Sequence, residues 1–133
     1  MTAQVLIVDD SAVVRKELKN VLDLSGTVQV VGEAVDGWDA IRQTKALTPD
    51  IVLMDLEMPG LDGFEATRQI KALRLAQTVI AFSVYANPPN QKKALDAGAD
   101  AFIVKGTDLR TLLDLFEQFS HQQKDMPQPS GDL

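Results

Sequence analysis

The chain has 133 residues, 45% apolar and 24% charged, with a net charge of −6; this fits one globular domain with a single core and disfavours a direct grip on nucleic acid. It has no cysteine and a single histidine, His121, which argues against a disulfide framework, a thiolate metal site or a histidine-based triad. No apolar run approaches the ~20 residues that span a bilayer, and residues 1–4 carry no basic targeting segment, so a cytoplasmic protein without membrane contact is expected.

Val5-Leu6-Ile7-Val8 is an apolar run that ends on Asp9-Asp10-Ser11. It reads as a buried strand finishing on carboxylates, with Ser11 or Asp10 able to cap the next helix. Val14, Leu18, Val21 and Leu22 form the apolar stripe of that helix, which Ser25-Gly26 stops. Val28, Val30 and Val31 mark a less regular strand reaching about Ala34, and Asp36-Gly37 is a turn. Trp38, Ile41 and Leu47 give the second helix a weak apolar face, and it must end before Thr48-Pro49.

Ile51-Val52-Leu53-Met54 reads as a strand buried on both faces, as in a parallel sheet. Asp55 is then expected as the first residue past its end, facing solvent. Pro59-Gly60 and Asp62-Gly63 are turn signals, and Phe64, Ala66, Ile70 and Leu73 mark the third helix. Residues 78–82 form a fourth strand ending at Ser83, and residues 85–90 a loop. A short helix follows to Ala97, closed by Gly98. Ala101-Phe102-Ile103-Val104 is the fifth strand, ending at Lys105-Gly106. Thr107 can cap the last helix, which carries Leu109, Leu112, Leu113, Phe116 and Phe119 on one face. Residues 1–120 form one domain; residues 121–133 are polar and aperiodic and read as a disordered tail.

Five strands alternating with five helices make a parallel α/β sheet covered on both sides. The carboxyl ends of its strands share one edge, where ligands bind in such sheets. Asp9, Asp10, Asp55, Ser83 and Lys105 all fall there. Three carboxylates make a hard-oxygen site that suits Mg²⁺. Like charges so close destabilise the empty site, and a divalent cation removes that penalty. The metal, the Ser83 hydroxyl and the Lys105 ammonium could each take one oxygen of a transferred phosphoryl group, with Asp55 as nucleophile.

Together with Met58-Pro59-Gly60 and Asp62-Gly63, these five residues resemble the receiver domains of bacterial two-component response regulators over about residues 4–120. The resemblance implies a flavodoxin-like (βα)5 sandwich with strand order 2-1-3-4-5. It implies that Asp55 accepts a phosphoryl group from a sensor histidine kinase or phosphotransfer protein. Asp10 and Asp55 would ligate Mg²⁺ by their side chains, Glu57 by its backbone carbonyl, and Asp9 mainly through bound water. Ser83 and Lys105 would assist the transfer and report it, and Phe102 would be the switch aromatic. Such a chain catalyses only its own phosphotransfer and slow autodephosphorylation, and passes the signal to an effector that the sequence does not name. A homodimer is open. Val31-Gly32-Glu33-Ala34 and Phe64-Glu65-Ala66-Thr67 resemble receivers attached to helix-turn-helix output domains, while Asp10-Ser11-Ala12-Val13-Val14-Arg15 resembles chemotaxis methylesterase receivers. With no output domain after residue 120, the reading is a stand-alone receiver or a fragment of a longer regulator.

Each residue also has a plainer reading. Asp9 and Asp10 could cap the first helix, Ser83 a turn; Lys105 could be a solvated strand-end charge, Phe102 core. A haloacid-dehalogenase-type phosphatase also uses an aspartyl nucleophile, but it needs a second Asp where this chain has Glu57, and a cap domain. A receiver that never takes phosphate is a weaker third reading. Three departures from the receiver pattern stand out. Gly106 replaces the usual proline, and Val84 replaces a small residue beside the pocket mouth. Pro88-Pro89 should make the fourth helix start late and stay short.

Overall fold

The structure, a computed structural model, describes residues 2–125. Strands β1 (Ala3–Val8), β2 (Val28–Ala34), β3 (Ile51–Asp55), β4 (Thr78–Ser83) and β5 (Ala101–Val104) alternate with helices α1 (Ala12–Ser25), α2 (Gly37–Leu47), α3 (Gly63–Ala72), α4 (Pro88–Asp96) and α5 (Leu109–Asp125). All neighbouring strands are parallel, in the order β2-β1-β3-β4-β5. This is the flavodoxin-like order expected.

Side chains alternate across each strand, so the apolar runs feed two cores. Val5, Ile7, Ile51, Leu53, Ile80 and Phe82 pack with Leu18 and Leu22 of α1 and with Leu112 and Phe116 of α5. Leu6, Val8, Val52, Met54 and Val79 pack on the opposite face with Ile41 of α2 and Ile70 of α3. Every residue of β3 and β4 is buried. Two-sided burial explains why these strands read as continuous apolar runs rather than as an alternation. A smaller cluster under α4 joins Leu56, Phe64, Ala81, Ala94 and Ala99, with Phe102 packed against it.

The helices begin on side-chain caps. Ser11, Asp36 and Asp62 accept the backbone N–H groups of Val14, Asp39 and Glu65, satisfying donors the helix itself leaves open. The fourth helix corrects an expectation. It starts at Pro88, not later, because Asn87 caps it and the two prolines occupy its first positions. Proline lacks a donor that is unpaired there anyway, and its fixed φ suits the first turn. With nine residues it is nonetheless the shortest of the five helices. The expected cap of α5 is also displaced. Asp108 accepts the Thr111 N–H at 2.9 Å, while the Thr107 hydroxyl donates back to the Val104 carbonyl at 2.6 Å. Helix α5 continues to Asp125, past the expected start of the tail. Residues 126–133 of that tail lie outside the described residues.

Gly63 shows why a glycine opens α3. A Cβ there would run into the Asp55 carbonyl, so only glycine lets α3 approach the end of β3 this closely. Gly106 has φ +93, a left-handed conformation that proline, locked near −65°, cannot adopt. The departure at this position thus goes with a differently shaped loop after β5.

Candidate functional site

In this strand order the chain runs from β1 outward to β2 on one side and from β3 outward to β4 on the other, which opens a crevice beyond the carboxyl ends of β1 and β3. Asp9 and Asp10 follow β1, Asp55 ends β3, Ser83 ends β4 and Lys105 follows β5. The structure brings the three carboxylates together: one oxygen from each of Asp9, Asp10 and Asp55 lies within 4.8 Å of the others.

Their environments differ. Asp10 is exposed, whereas Asp9 and Asp55 are 1% and 0% exposed. Asp55 therefore corrects the expectation of a solvent-facing carboxylate. It is still part of β3, in register with Phe82 of β4, and the start of α3 covers its backbone. One oxygen of each buried acid is held in place. Asp9 Oδ1 accepts the Ser11 N–H at 2.8 Å, and Asp55 Oδ1 accepts the Glu57 N–H at 3.1 Å. Lys105 Nζ sits 3.1 Å from Asp9 Oδ2 and 3.1 Å from Asp55 Oδ1.

Burial, reinforced by the neighbouring Asp9 charge, pushes the Asp55 carboxyl up to about 6, against the pull of the Glu57 N–H and Lys105. For Lys105, burial works to lower the pKa. Hydrogen bonding and charge from Asp55 and Asp9 together outweigh it and raise the ammonium above its ordinary range. The site is thus an anionic cluster whose two buried acids are both met by the Lys105 ammonium.

Among the described residues, buried Asp55 Oδ2 has no hydrogen-bond partner, and buried Asp9 Oδ2 is met only by the Lys105 ammonium. Such under-coordinated carboxylate oxygens next to a third, exposed carboxylate are the donor set of a hard, partly hydrated cation. The residues present therefore fit Mg²⁺.

Ser83 is fully buried at the end of β4. Its hydroxyl donates to Glu57 Oε2 at 2.6 Å and accepts the Tyr85 N–H at 2.9 Å. Val84 is 56% exposed beside it. Phe102 is half-buried in the cluster under α4, in register with Ala81.

Sequence reasoning missed two contributors. The Arg15 guanidinium donates to the Asp9 carbonyl at 2.7 Å and to Glu33 Oε1 at 2.8 Å, tying α1 and β2 to the acidic turn. The side chain of Glu57, expected to contribute only its backbone carbonyl, engages Ser83. The spacing of Arg15 from its cap residue Ser11, one helical turn, was a signal for the first. Nothing local signals the second.

A sheet in this order with an acid cluster at its switch point defines a flavodoxin-like α/β domain with an oxygen-lined crevice. The chain belongs to the response regulator receiver domain family, whose pattern it matches over residues 5–117. It is therefore a receiver domain of the kind that two-component response regulators carry. It is 38% identical over 120 residues to the response regulator protein VraR of Staphylococcus aureus, covering 90% of this chain and 57% of that protein. The chain thus spans little more than half the length of that relative. It is similar to a LuxR-family two-component response regulator from Aurantimonas sp. SI85-9A1, at 33% identity and TM-score 0.85, covering 92% of this chain and 87% of that one. It is also similar to a chain of the CheX-CheY-BeF3-Mg²⁺ complex from Borrelia burgdorferi, at 32% identity and TM-score 0.76, covering 84% of each. No helix among the described residues is long and apolar enough to cross a membrane.

Proposed function

We propose that the chain receives a phosphoryl group on Asp55 from the phosphohistidine of a sensor histidine kinase or phosphotransfer protein in the cytoplasm, and that the phosphorylated form changes which effector it binds. One observation carries this reading. Asp55 is a fully buried carboxylate at the switch point whose Oδ2 makes no hydrogen bond. A buried carboxylate oxygen left without a partner is costly, and such groups concentrate at functional sites.

In the transfer, an Asp55 oxygen attacks phosphorus in line. The P–O bond forms as the P–N bond to the donor imidazole breaks, and the imidazole leaves with the electron pair and takes up a proton. Lys105 Nζ, 3.1 Å from Asp55 Oδ1, offers a point charge to one phosphoryl oxygen, and Ser83 offers a hydroxyl to another. Asp10 and Asp55 would hold Mg²⁺ by their side chains, Asp9 through bound water and Glu57 through its backbone carbonyl. When bound, the ion would neutralise the crowded carboxylates and oppose the charge on the phosphoryl oxygens. A similar chain is part of the CheX-CheY-BeF3-Mg²⁺ complex, which supports Mg²⁺ as the ion. Ser83 and Phe102 are the proposed readout: a hydroxyl drawn to the phosphoryl group vacates space that an aromatic side chain can enter.

The chain is read as a signalling module whose chemistry is confined to its own phosphorylation and slow dephosphorylation. Incubation with a small phosphodonor and Mg²⁺ tests this. One phosphoryl group per chain, absent in Asp55→Asn, is expected. Multiple turnover of a phosphomonoester would instead make the chain a phosphatase.

A further inference from the structure

Ser83 cannot serve a phosphoryl group in the resting chain as it stands. Its hydroxyl has one proton, and that proton is directed to Glu57 Oε2 at 2.6 Å. The Tyr85 carbonyl, another acceptor in reach, is longer at 3.4 Å. A hydrogen bond to a carboxylate is short and about twice as strong as a neutral one, so Glu57 holds the proton. The second Glu57 oxygen, Oε1, faces the Val84 N–H at 3.4 Å. The two oxygens of one carboxylate therefore occupy the two donors at the end of β4, as two oxygens of a phosphoryl group would. Asn90 of α4 is in the same knot. Its amide donates to Ser83 Oγ at 3.3 Å and to the Tyr85 carbonyl at 2.8 Å.

We propose that the Glu57 carboxylate is an internal anion that latches Ser83 and Val84 in the unphosphorylated chain, and that phosphorylation works by displacing it. This rests on the reading of Asp55 as the phosphoacceptor. Glu57 is tied to that residue through its backbone, since its N–H donates to Asp55 Oδ1 at 3.1 Å. A phosphoryl group on Asp55 carries about −1.5 to −2 charge in place of the single carboxylate charge, two residues from Glu57. It competes for the same donors and repels the carboxylate at once. Glu57 is half-buried on a loop, so it has solvent to turn into. Its departure frees the Ser83 proton. Because Asn90 shares the Ser83 hydroxyl, the first turn of α4 receives the change directly. Glu57 is thus a positioning residue that sets the free-energy gap between the resting and switched forms.

The test uses the full chain with Mg²⁺ and beryllofluoride, a phosphoryl mimic. Glu57→Ala should bind beryllofluoride about tenfold more tightly than wild type, the scale of one charge-assisted hydrogen bond. Glu57→Gln keeps an acceptor but loses the charge, and should fall between the two. In Glu57→Ala without beryllofluoride, the Val84, Tyr85 and Asn90 amide resonances should move toward their positions in the beryllofluoride-bound wild type. The deciding comparison is the Ser83→Ala background, where the gain from Glu57→Ala should fall clearly below its size in the wild-type background, leaving only the part due to the Val84 N–H and to charge repulsion. A gain of undiminished size there would show that Glu57 acts by charge alone and would overturn the latch. Wild type that binds beryllofluoride while Glu57→Ala binds no better overturns the latch alone. Wild type that neither binds the mimic nor takes label overturns the Asp55 reading and the latch together.

Discussion

Replacing Asp55 with asparagine should stabilise the metal-free domain at neutral pH while abolishing phosphorylation. Burial and the Asp9 charge move the Asp55 carboxyl from 3.8 to about 6. The native state therefore holds this proton more tightly than the unfolded chain does. Protonation favours folding, so the Asp55 contribution is fully present below pH 4 and is lost as pH rises through about 6. The displacement corresponds to about 3 kcal/mol, at 1.36 kcal/mol per decade of proton affinity. Asparagine keeps an oxygen that can accept the Glu57 N–H but has no proton to lose in this window. Between pH 4 and pH 7 in chelator, Asp55→Asn should gain about 3 kcal/mol on wild type. For a domain of this size that is roughly 10 °C in Tm. Urea denaturation at each pH gives the difference directly, and constant offsets from the altered Lys105 contact cancel in the trend. A stability difference flat across pH 4–7 would show that the Asp55 charge is already compensated in the native state, and would refute the reasoning.

Saturating Mg²⁺ should raise wild-type stability by about 2.7 kcal/mol at a hundredfold excess over Kd, and Asp10→Ala should remove most of that gain in paired thermal melts; identical melts with Mg²⁺ and chelator would count against the metal site. Ser83→Ala should still accept phosphate on Asp55 yet lose phosphate-dependent amide shifts at Phe102 and along α4, as followed by NMR. Val84→Ala should raise both the labelling rate and the autodephosphorylation rate, because the exposed, β-branched Val84 stands beside the Ser83 donor; unchanged rates would place its side chain off the approach path.

The fold was legible where one residue pattern had one physical cause. The runs at Val5-Leu6-Ile7-Val8 and Ile51-Val52-Leu53-Met54 are continuous because both faces of β1 and β3 are covered. Ser11 announced a helix start because a short polar side chain before an apolar stripe has few other uses, whereas Asp36 and Asp62 read only as turns and cap their helices in the structure. Asn87 read as part of a loop, and the two prolines after it read as an obstacle when they are in fact compatible with a first turn. Thr107 and Asp108 are both capping types, and neither residue by itself says which stands at the boundary; the Val104 carbonyl decides by taking the Thr107 hydroxyl.

The site residues were legible as a set because parallel strands put their ends on one edge. Their burial was not. Asp55 is closed off by Gly63 of α3 and its register with Phe82, neither of which a strand-ending aspartate reveals. The Glu57–Ser83 contact joins residues 26 apart in the chain and depends on how two loops meet over the sheet edge.

The central claim is that Asp55 carries the phosphoryl group, and an acyl phosphate can be trapped chemically. Label the chain with a small phosphodonor and Mg²⁺, reduce it at once with borohydride, and sequence the peptides by mass spectrometry. Reduction converts an aspartyl phosphate to homoserine, which is expected at position 55 alone and not in unlabelled protein. Homoserine at Asp9 or Asp10 with Asp55 intact, or label that survives in Asp55→Asn at the wild-type level, would contradict it.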